Sequence, residues 1–272
     1  MRSDGNAARS GIFPRAGSLY NTDMTKAEKA FRNYTDPYLV YGDKILLKIG
    51  HTLRVRDLCV EIAENLGLDD ADTELSAVCG LLHDIGRFEQ WRRYGTYNDL
   101  RSVDHGDLGA ELLKSGGLLD TFSETGHDTI LNVVRYHNKY QVPDGLSARD
   151  RQFTDISRDA DKIDILDLFV KGGLVNNTRN TAMSGPVYQT LLDHRTIRKQ
   201  DTSTKADGIA VCLAFVFDLN CRRSFEIIRE TGCIDRLIDL QLEETANAVL
   251  KEQLKHSREQ IGRYIDEHTA AR

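Results

Sequence analysis

The chain has 272 residues, of which 40% are hydrophobic, enough to form one substantial buried core. Its formal charge of -6, from 36 basic and 42 acidic residues, excludes a general attraction to nucleic acid or to an anionic membrane surface. No stretch approaches the roughly 18 consecutive apolar residues of a membrane-spanning helix. The five scattered cysteines form no CxxC pair, which is typical of a reduced protein. We therefore predict a cytoplasmic protein without a membrane partner.

The first residues differ in composition from the rest. Residues 1–23 are rich in Gly, Ser, Asn and Arg and have no apolar period, which predicts a disordered leader or a remnant of an expression vector. We interpret residues 24–272 as a single helical domain. Within it, we place a motif core over residues 44–170 and a C-terminal helical extension over residues 171–272.

Helical spacing of apolar residues predicts the elements in chain order. The first helix spans residues 44–66 and carries His51 on its buried face. A second helix, with Asp72 as its N-cap, leads into the adjacent pair His83 and Asp84. The His-Asp pair is therefore predicted to lie at the end of a buried helix.

Two further helices bring histidines toward the same core. Ser102 or Asp104 can cap a third helix, which places His105 in its first turn. Ser123 introduces a fourth helix, whose apolar face leads to His137.

The remaining pattern is also helical. A fifth helix carries Asp161 at the edge of its apolar stripe, with Asp164 on an adjoining stripe. Residues 171–208 are polar and predict a long connection with a short helix around residues 187–192. Further helices are predicted over residues 209–217, 225–240 and 241–265. No segment alternates strictly between apolar and polar residues, so we predict an all-α fold.

Several titratable residues share one kind of position, the inner edge of an apolar stripe. A lone histidine there is usually a hydrogen-bonded core residue, but burying many such groups without partners costs several kcal/mol per charge. A bound metal ion offsets that cost, and imidazole with carboxylate suits borderline and hard divalent ions. The candidate ligands are His51, His83, Asp84, His105, His137 and Asp161.

The short sequence segments around these residues resemble the motifs of a known family. "GHTLRV", "AVCGLLHDIGRF" and "RDADKIDIL" occur in the order H…HD…D and are similar to the motifs of the HD-domain metal-dependent phosphohydrolase superfamily. The resemblance covers roughly residues 44–170. "DHGDLGAELL" and "VVRYHNKY" place His105 and His137 where the binuclear branch of that family carries two extra histidine ligands.

The resemblance implies an HD-domain helical bundle with additional C-terminal helices, and a binuclear metal site. His51, His83, Asp84 and Asp161 would bind one ion, while Asp84 would also bridge to a second ion held by His105 and His137. The implied cofactors are two divalent metal ions, with Mn, Fe, Mg, Ni and Co as candidates. The implied reaction is hydrolysis of a phosphate ester or anhydride by a metal-activated hydroxide, in a nucleotide or another small phosphorylated metabolite.

Cations are needed for the remaining phosphate charge, and the sequence places several near the ligands. The predicted catalytic residues are His83, Asp84, Arg87 and Lys162, and the predicted substrate-binding residues are Arg87, Gln90, Arg101 and Lys162. The alternative for each cation is a solvated surface charge. The aromatic and basic segment 87–102 suits stacking on a base and pairing with phosphate, but a packed structural loop explains it as well.

Other functions stay open from the sequence. The Gly-Tyr-Pro signature of HD-GYP cyclic-dinucleotide phosphodiesterases is missing after His137, where the chain reads Asn138-Lys139-Tyr140. The same ligand set would suit a binuclear-iron oxygenase of the HD type, or a regulatory protein that binds metal without catalysis. The final helix could pack on the core or pair with a second chain, so a homo-oligomer is also open.

Overall fold

The computed structural model describes residues 25–172 and 181–270, in which every regular element is helical. The prediction of an all-α fold is confirmed. The α-helices are α1 (Lys26–Thr35), α2 (Asp43–Asn65), α3 (Asp70–Leu82), α4 (Ile85–Tyr94), α5 (His105–Ser115), α6 (His127–Tyr136), α7 (Ala148–Gly172), α8 (Gly185–Leu192), α9 (Asp207–Leu213), α10 (Arg222–Thr231), α11 (Cys233–Glu244) and α12 (Ala248–Thr269). The predicted leader over residues 1–23 and part of the predicted connection, residues 173–180, lie outside the described residues.

Short 3-10 helices connect several of these helices. They span Asp36–Tyr41, Asp99–Arg101, Leu119–Thr121, Glu124–Gly126, Lys199–Asp201 and Ala214–Asp218. None of the described helices is both long and apolar enough to cross a membrane.

Several predicted boundaries were wrong, including those of the helix predicted over residues 241–265, because α11 ends at Glu244 and α12 spans Ala248–Thr269. The N-cap of α3 is Asp69, whose side chain accepts the backbone N–H of Asp72, so the helix begins before the predicted cap. Residues 87–102 are not one loop, because α4 occupies the first half of this segment and ends at Gly95 in the left-handed conformation. The helix predicted over residues 225–240 is broken at Gly232, which has a φ of 59°.

The core consists of two apolar clusters that share α2 and α7. The first cluster packs α1 to α6 around residues such as Phe31 and Phe88. The second packs α2 and α7 against the C-terminal helices α8 to α12. On α2, Ile49 belongs to the first cluster and Val55 to the second. His51 therefore lies on α2 where the two clusters meet.

Two glycines allow the helix ends around the His-Asp pair to approach closely. A Cβ at Gly86 would collide with the carbonyl oxygen of His105. A Cβ at Gly106 would lie 2.6 Å from Asn138 Oδ1 and 2.8 Å from the carbonyl oxygen of Arg135. Backbones at these positions touch because no side chain intervenes, and this contact draws α4, α5 and the end of α6 together.

Candidate metal centre

The structure brings the six predicted ligands to one place from five elements. They come from the middle of α2 (His51), the turn between α3 and α4 (His83 and Asp84), the first turn of α5 (His105), the residue after α6 (His137) and the middle of α7 (Asp161). Five of the six are buried, and the Asp161 side chain is 18% exposed. The cluster therefore opens to solvent on the side of Asp161.

One half of the cluster, which we call the first subsite, consists of His51, His83, Asp161 and Oδ2 of Asp84. His51 Nε2 lies 3.1 Å from Asp161 Oδ1 and 3.5 Å from Asp84 Oδ2. His83 Nε2 lies 3.6 Å from Asp84 Oδ2 and 3.7 Å from Asp161 Oδ1. Neighbouring ligands of an ion with bonds of about 2.1 Å are about 3.0 to 3.4 Å apart in octahedral or tetrahedral geometry. The atoms of the first subsite are spaced in or just beyond that range.

The other half, the second subsite, consists of His105, His137 and Oδ1 of Asp84. Asp84 Oδ1 lies 3.3 Å from His105 Nε2 and 3.6 Å from His137 Nε2. The two Nε2 atoms lie 3.0 Å from each other. His83 sits between the subsites, since its ligand atom groups with those of Asp84 and His137 as well as with those of His51 and Asp161. Asp84 thus presents one oxygen to each subsite.

All four histidines of the cluster direct the same ring nitrogen, Nε2, toward its centre. Each Nδ1 lies within 2.7 to 2.9 Å of an acceptor, and the acceptors are Asp164 Oδ2 for His51, Gly80 O for His83, Asp99 Oδ2 for His105 and Val134 O for His137. A carbonyl acceptor requires Nδ1 to carry hydrogen, and a carboxylate favours it. In the neutral form of each ring, the Nε2 lone pair is then free for a metal, as in carboxylate–histidine–metal and carbonyl–histidine–metal arrangements.

Two of these Nε2 atoms lack a hydrogen-bond partner among the described residues. His51 Nε2 and His83 Nε2 are buried and make no hydrogen bond of acceptable geometry. A buried polar atom without a partner costs free energy. The donor set and these orphaned nitrogens together fit a divalent cation.

The charges of the cluster also favour a cation. Burial and Lys48 act to lower the pKa of His51, but contacts with three aspartates outweigh them and raise it to about 10. Burial would raise the pKa of Asp84, yet the charge of Lys48 and contacts with histidines hold it well below its usual range. The carboxylates of the first subsite therefore remain ionised and attract positive charge.

The second subsite behaves differently. Burial lowers the pKa of His137 to about 4, and the neighbouring histidines act in the same direction. His137 is therefore neutral near pH 7, which is the form that binds metal.

Several residues around the cluster were not assigned from the sequence. Asp164 receives two hydrogen bonds from the guanidinium of Arg54 at 2.6 and 2.9 Å, in addition to its contact with His51. Lys48 Nζ lies 2.5 Å from Asp84 Oδ2. Helical spacing is the signal that could have found them, since Asp164 lies three residues after Asp161 and Lys48 three residues before His51.

Asp99 is a further residue that the sequence analysis missed. Its Oδ2 contacts His105 Nδ1 at 2.7 Å, and its Oδ1 accepts hydrogen bonds from Arg87 Nη1 at 2.7 Å and Gln90 Nε2 at 2.8 Å. Asp99 lies in a 3-10 helix outside any apolar stripe, so periodicity gave no signal for it.

The predicted substrate-binding residues have different surroundings. Arg87 lies beside the second subsite, with its Nε 3.5 Å from Asp84 Oδ1, and that Nε has no hydrogen-bond partner. Gln90 is fully buried, and its amide group bonds to Arg87, Asp99, Ser102 and Val103. Arg101 is exposed at the end of a 3-10 helix. Of the three, Arg87 is the one that the structure brings to the cluster.

Lys162 faces the C-terminal extension. Its Nζ lies 2.9 Å from Asp218 Oδ2 and donates to the carbonyl oxygen of Arg158, whose guanidinium also donates to Asp218. Asp218 and Arg158 line a polar cavity of about 570 Å³ beside α7. Lys162 therefore links α7 to the segment before α10.

Comparison with known proteins gives one finding. The profile of the HD domain family matches residues 49–169. This segment runs from α2 to α7 and contains all six candidate ligands. No curated protein and no solved structure gives a significant match to the chain.

Proposed function

We propose that this chain, in which residues 49–169 are an HD domain, is a metal-dependent hydrolase of a phosphate ester or anhydride. HD domains are typically metal-dependent phosphohydrolases, and their substrates are in general phosphorylated. The finer proposals are the binuclear site, the roles of its residues, and a nucleotide or similar small phosphorylated metabolite as the substrate.

The observation that carries the proposal is the common orientation of the four histidines. Each donates Nδ1–H to a fixed acceptor and turns Nε2 toward Asp84 or Asp161. Imidazole lone pairs and carboxylates repel one another at these distances unless a proton or a metal cation lies between them. A purely structural cluster would instead give each buried Nε2 a well-oriented hydrogen-bond partner, which His51 and His83 lack.

We assign one ion to His51, His83, Asp84 and Asp161, and a second to Asp84, His105 and His137. A bound divalent cation lowers the pKa of a water ligand, so that hydroxide is available near neutral pH, and it withdraws charge from phosphoryl oxygens. The protein's own side chains must then bind and orient the phosphoryl group.

Arg87 is the cation best placed to bind the phosphoryl group. Its Nη1 is held by Gln90, Asp99 and the carbonyl oxygen of Tyr97, so the guanidinium is fixed before substrate arrives. Its Nε faces Asp84 Oδ1 without a hydrogen bond. A preorganised donor beside the reacting group stabilises developing charge without further rearrangement.

The test is hydrolysis of a panel of nucleotides and small phosphate esters with added Mn²⁺, in the wild type and in Asp84→Ala. We expect turnover in Asp84→Ala to be about a thousandfold or more below that of the wild type, because both subsites lose a ligand. Asp128→Ala is the matched control, since Asp128 is exposed on α6 and should leave turnover unchanged.

Two results would contradict the proposal. Wild-type turnover in Asp84→Ala on a substrate that the native protein cleaves would remove the cluster from catalysis. Oxygen consumption by an iron-loaded sample, without phosphate release from any member of the panel, would replace hydrolysis by oxidation.

A further inference from the structure

Lys48 is a largely buried cation beside the metal centre, and no role in the proposed reaction has been assigned to it. It lies on α2 one turn before His51, and its side chain is 15% exposed. Its ammonium contacts Asp84 Oδ2 at 2.5 Å. The same oxygen belongs to the first subsite, 3.5 Å from His51 Nε2.

An ammonium and a divalent cation compete for that oxygen. Both need the negative charge of Asp84 Oδ2, and a dication bound among His51, His83 and Asp84 would repel an ammonium held at hydrogen-bond distance from the same atom. Filling the first subsite therefore weakens the contact between Lys48 and Asp84.

Lys48 is free to move where Arg87 is not. Three protein acceptors hold Arg87 Nη1, whereas Asp84 is the one acceptor of the Lys48 ammonium among the residues that the structure describes. The ammonium also lies 5.8 Å from the ring centre of Tyr97, and Arg87 lies 5.9 Å from the same ring. The lysine stem is flexible, so the ammonium can leave Asp84 and move along the face of the Tyr97 ring that Arg87 also approaches.

We infer that Lys48 exchanges Asp84 for a phosphoryl oxygen of the substrate when the first subsite binds its cation. Lys48 thus weakens metal binding and strengthens phosphate binding at the same place. Together with Arg87 it forms a pair of cations, one beside each oxygen of Asp84. The inference rests on the proposed phosphate substrate, but its test needs no turnover.

The experiment compares Lys48→Met with Lys44→Met, because Lys44 lies one turn earlier on α2 with an exposed side chain. Calorimetric titration with Mn²⁺ alone gives the affinity of the first ion. Titration of the Mn²⁺-loaded protein with inorganic phosphate gives the affinity for the anion.

We expect Lys48→Met to bind the first Mn²⁺ about tenfold more tightly and phosphate about tenfold more weakly than the wild type, the scale of one charge-assisted contact. Lys44→Met should match the wild type in both. Lys48→Arg should recover phosphate binding, because its guanidinium keeps the charge.

Unchanged or weaker Mn²⁺ binding in Lys48→Met would contradict competition between Lys48 and the metal ion for Asp84. Unchanged phosphate binding would contradict the transfer of Lys48 from Asp84 to a phosphoryl oxygen. Circular dichroism of each variant checks that it is folded, and Lys48→Gln replaces Lys48→Met if the latter is not. Failure of the wild type to hydrolyse any phosphate would contradict the proposed function, while both affinities would still decide the role of Lys48.

Discussion

The two subsites are built on one plan but carry different charge. Each pairs a histidine backed by a carboxylate with a histidine backed by a main-chain carbonyl: His51 and His83 in the first, His105 and His137 in the second. The first subsite adds the carboxylate of Asp161, which the second lacks. The histidines have the same orientation, so the difference between the subsites is electrostatic.

This difference moves the pKa of histidines in opposite directions. That of His51 rises to about 10 because aspartates surround it, and that of His137 falls to about 4 because burial dominates. Orientation makes an imidazole available as a ligand, and the surrounding charge sets how strongly its site attracts a cation. We therefore expect the first subsite to bind its ion more tightly than the second.

Removing one histidine from each subsite tests this most strongly. We expect about two ions per chain in the wild type, about one in His105→Ala, and loss of the tightly bound ion in His51→Ala. Elemental mass spectrometry of protein purified without chelator measures the content. Equal loss in both variants would show that the subsites are not separable.

The carboxylates behind the histidines give the next largest effect. Asp164→Asn and Asp99→Asn keep the shape of the side chain but remove the charge that orients and polarises His51 or His105. We expect each substitution to weaken metal binding at its own subsite by about 10- to 100-fold and to leave the affinity of the other subsite unchanged. Competition with a metal-sensitive dye measures both affinities. An effect of Asp99→Asn on the first ion would break the distinction between the subsites.

The pH dependence of metal binding sharpens the comparison further. Because the pKa of His51 is raised to about 10, this residue is protonated at pH 7 to 9 and must lose a proton to bind an ion. The affinity for the first ion should therefore rise by about tenfold per pH unit over that range. His137, with its pKa lowered to about 4, contributes no such slope to the second ion. Calorimetry in buffers of different ionisation enthalpy counts the protons released, and a count near zero for the first ion would contradict the raised pKa.

A change outside both subsites should have the smallest effect on metal. Asp218→Asn removes the charge that pairs with Arg158 and Lys162, and we expect a loss of about 2 kcal/mol of stability. Differential scanning calorimetry should show a Tm lower by a few degrees, with unchanged metal content. Asp193→Asn, at an exposed ion pair with Arg195, is the control. Loss of an ion in Asp218→Asn would extend the metal centre into the C-terminal helices.

The sequence predicted the all-α fold and the helices that carry the cluster because both depend on local periodicity. His105 was placed in the first turn of its helix, where Asp104 caps it. The boundary of α3 was missed because two aspartates three residues apart offer equivalent caps. The helix α4 was missed because its polar residues, Glu89 and Gln90, are buried by local pairing that no apolar stripe reveals.

The candidate site was less accessible to prediction where contacts join distant residues. Asp218 lies 56 residues after Lys162, so the ion pair between them follows from the docking of the C-terminal extension and not from spacing. Lys48 and Asp84 are 36 residues apart, and their contact needs the packing of α2 against the turn after α3. The ligands themselves were predictable because their motifs place them at helix ends and faces.

The touching backbones at Gly86 and Gly106 give the second subsite an unusual vulnerability. Its distances are set where α4, α5 and the end of α6 meet without side chains between them. A single methyl group at Gly86 would push His105 away from Asp84 without changing the identity of any candidate ligand or any charge. The distance between His105 and Asp84 is thus set by the packing of the helix junction, and the addition of one carbon atom at Gly86 would change it.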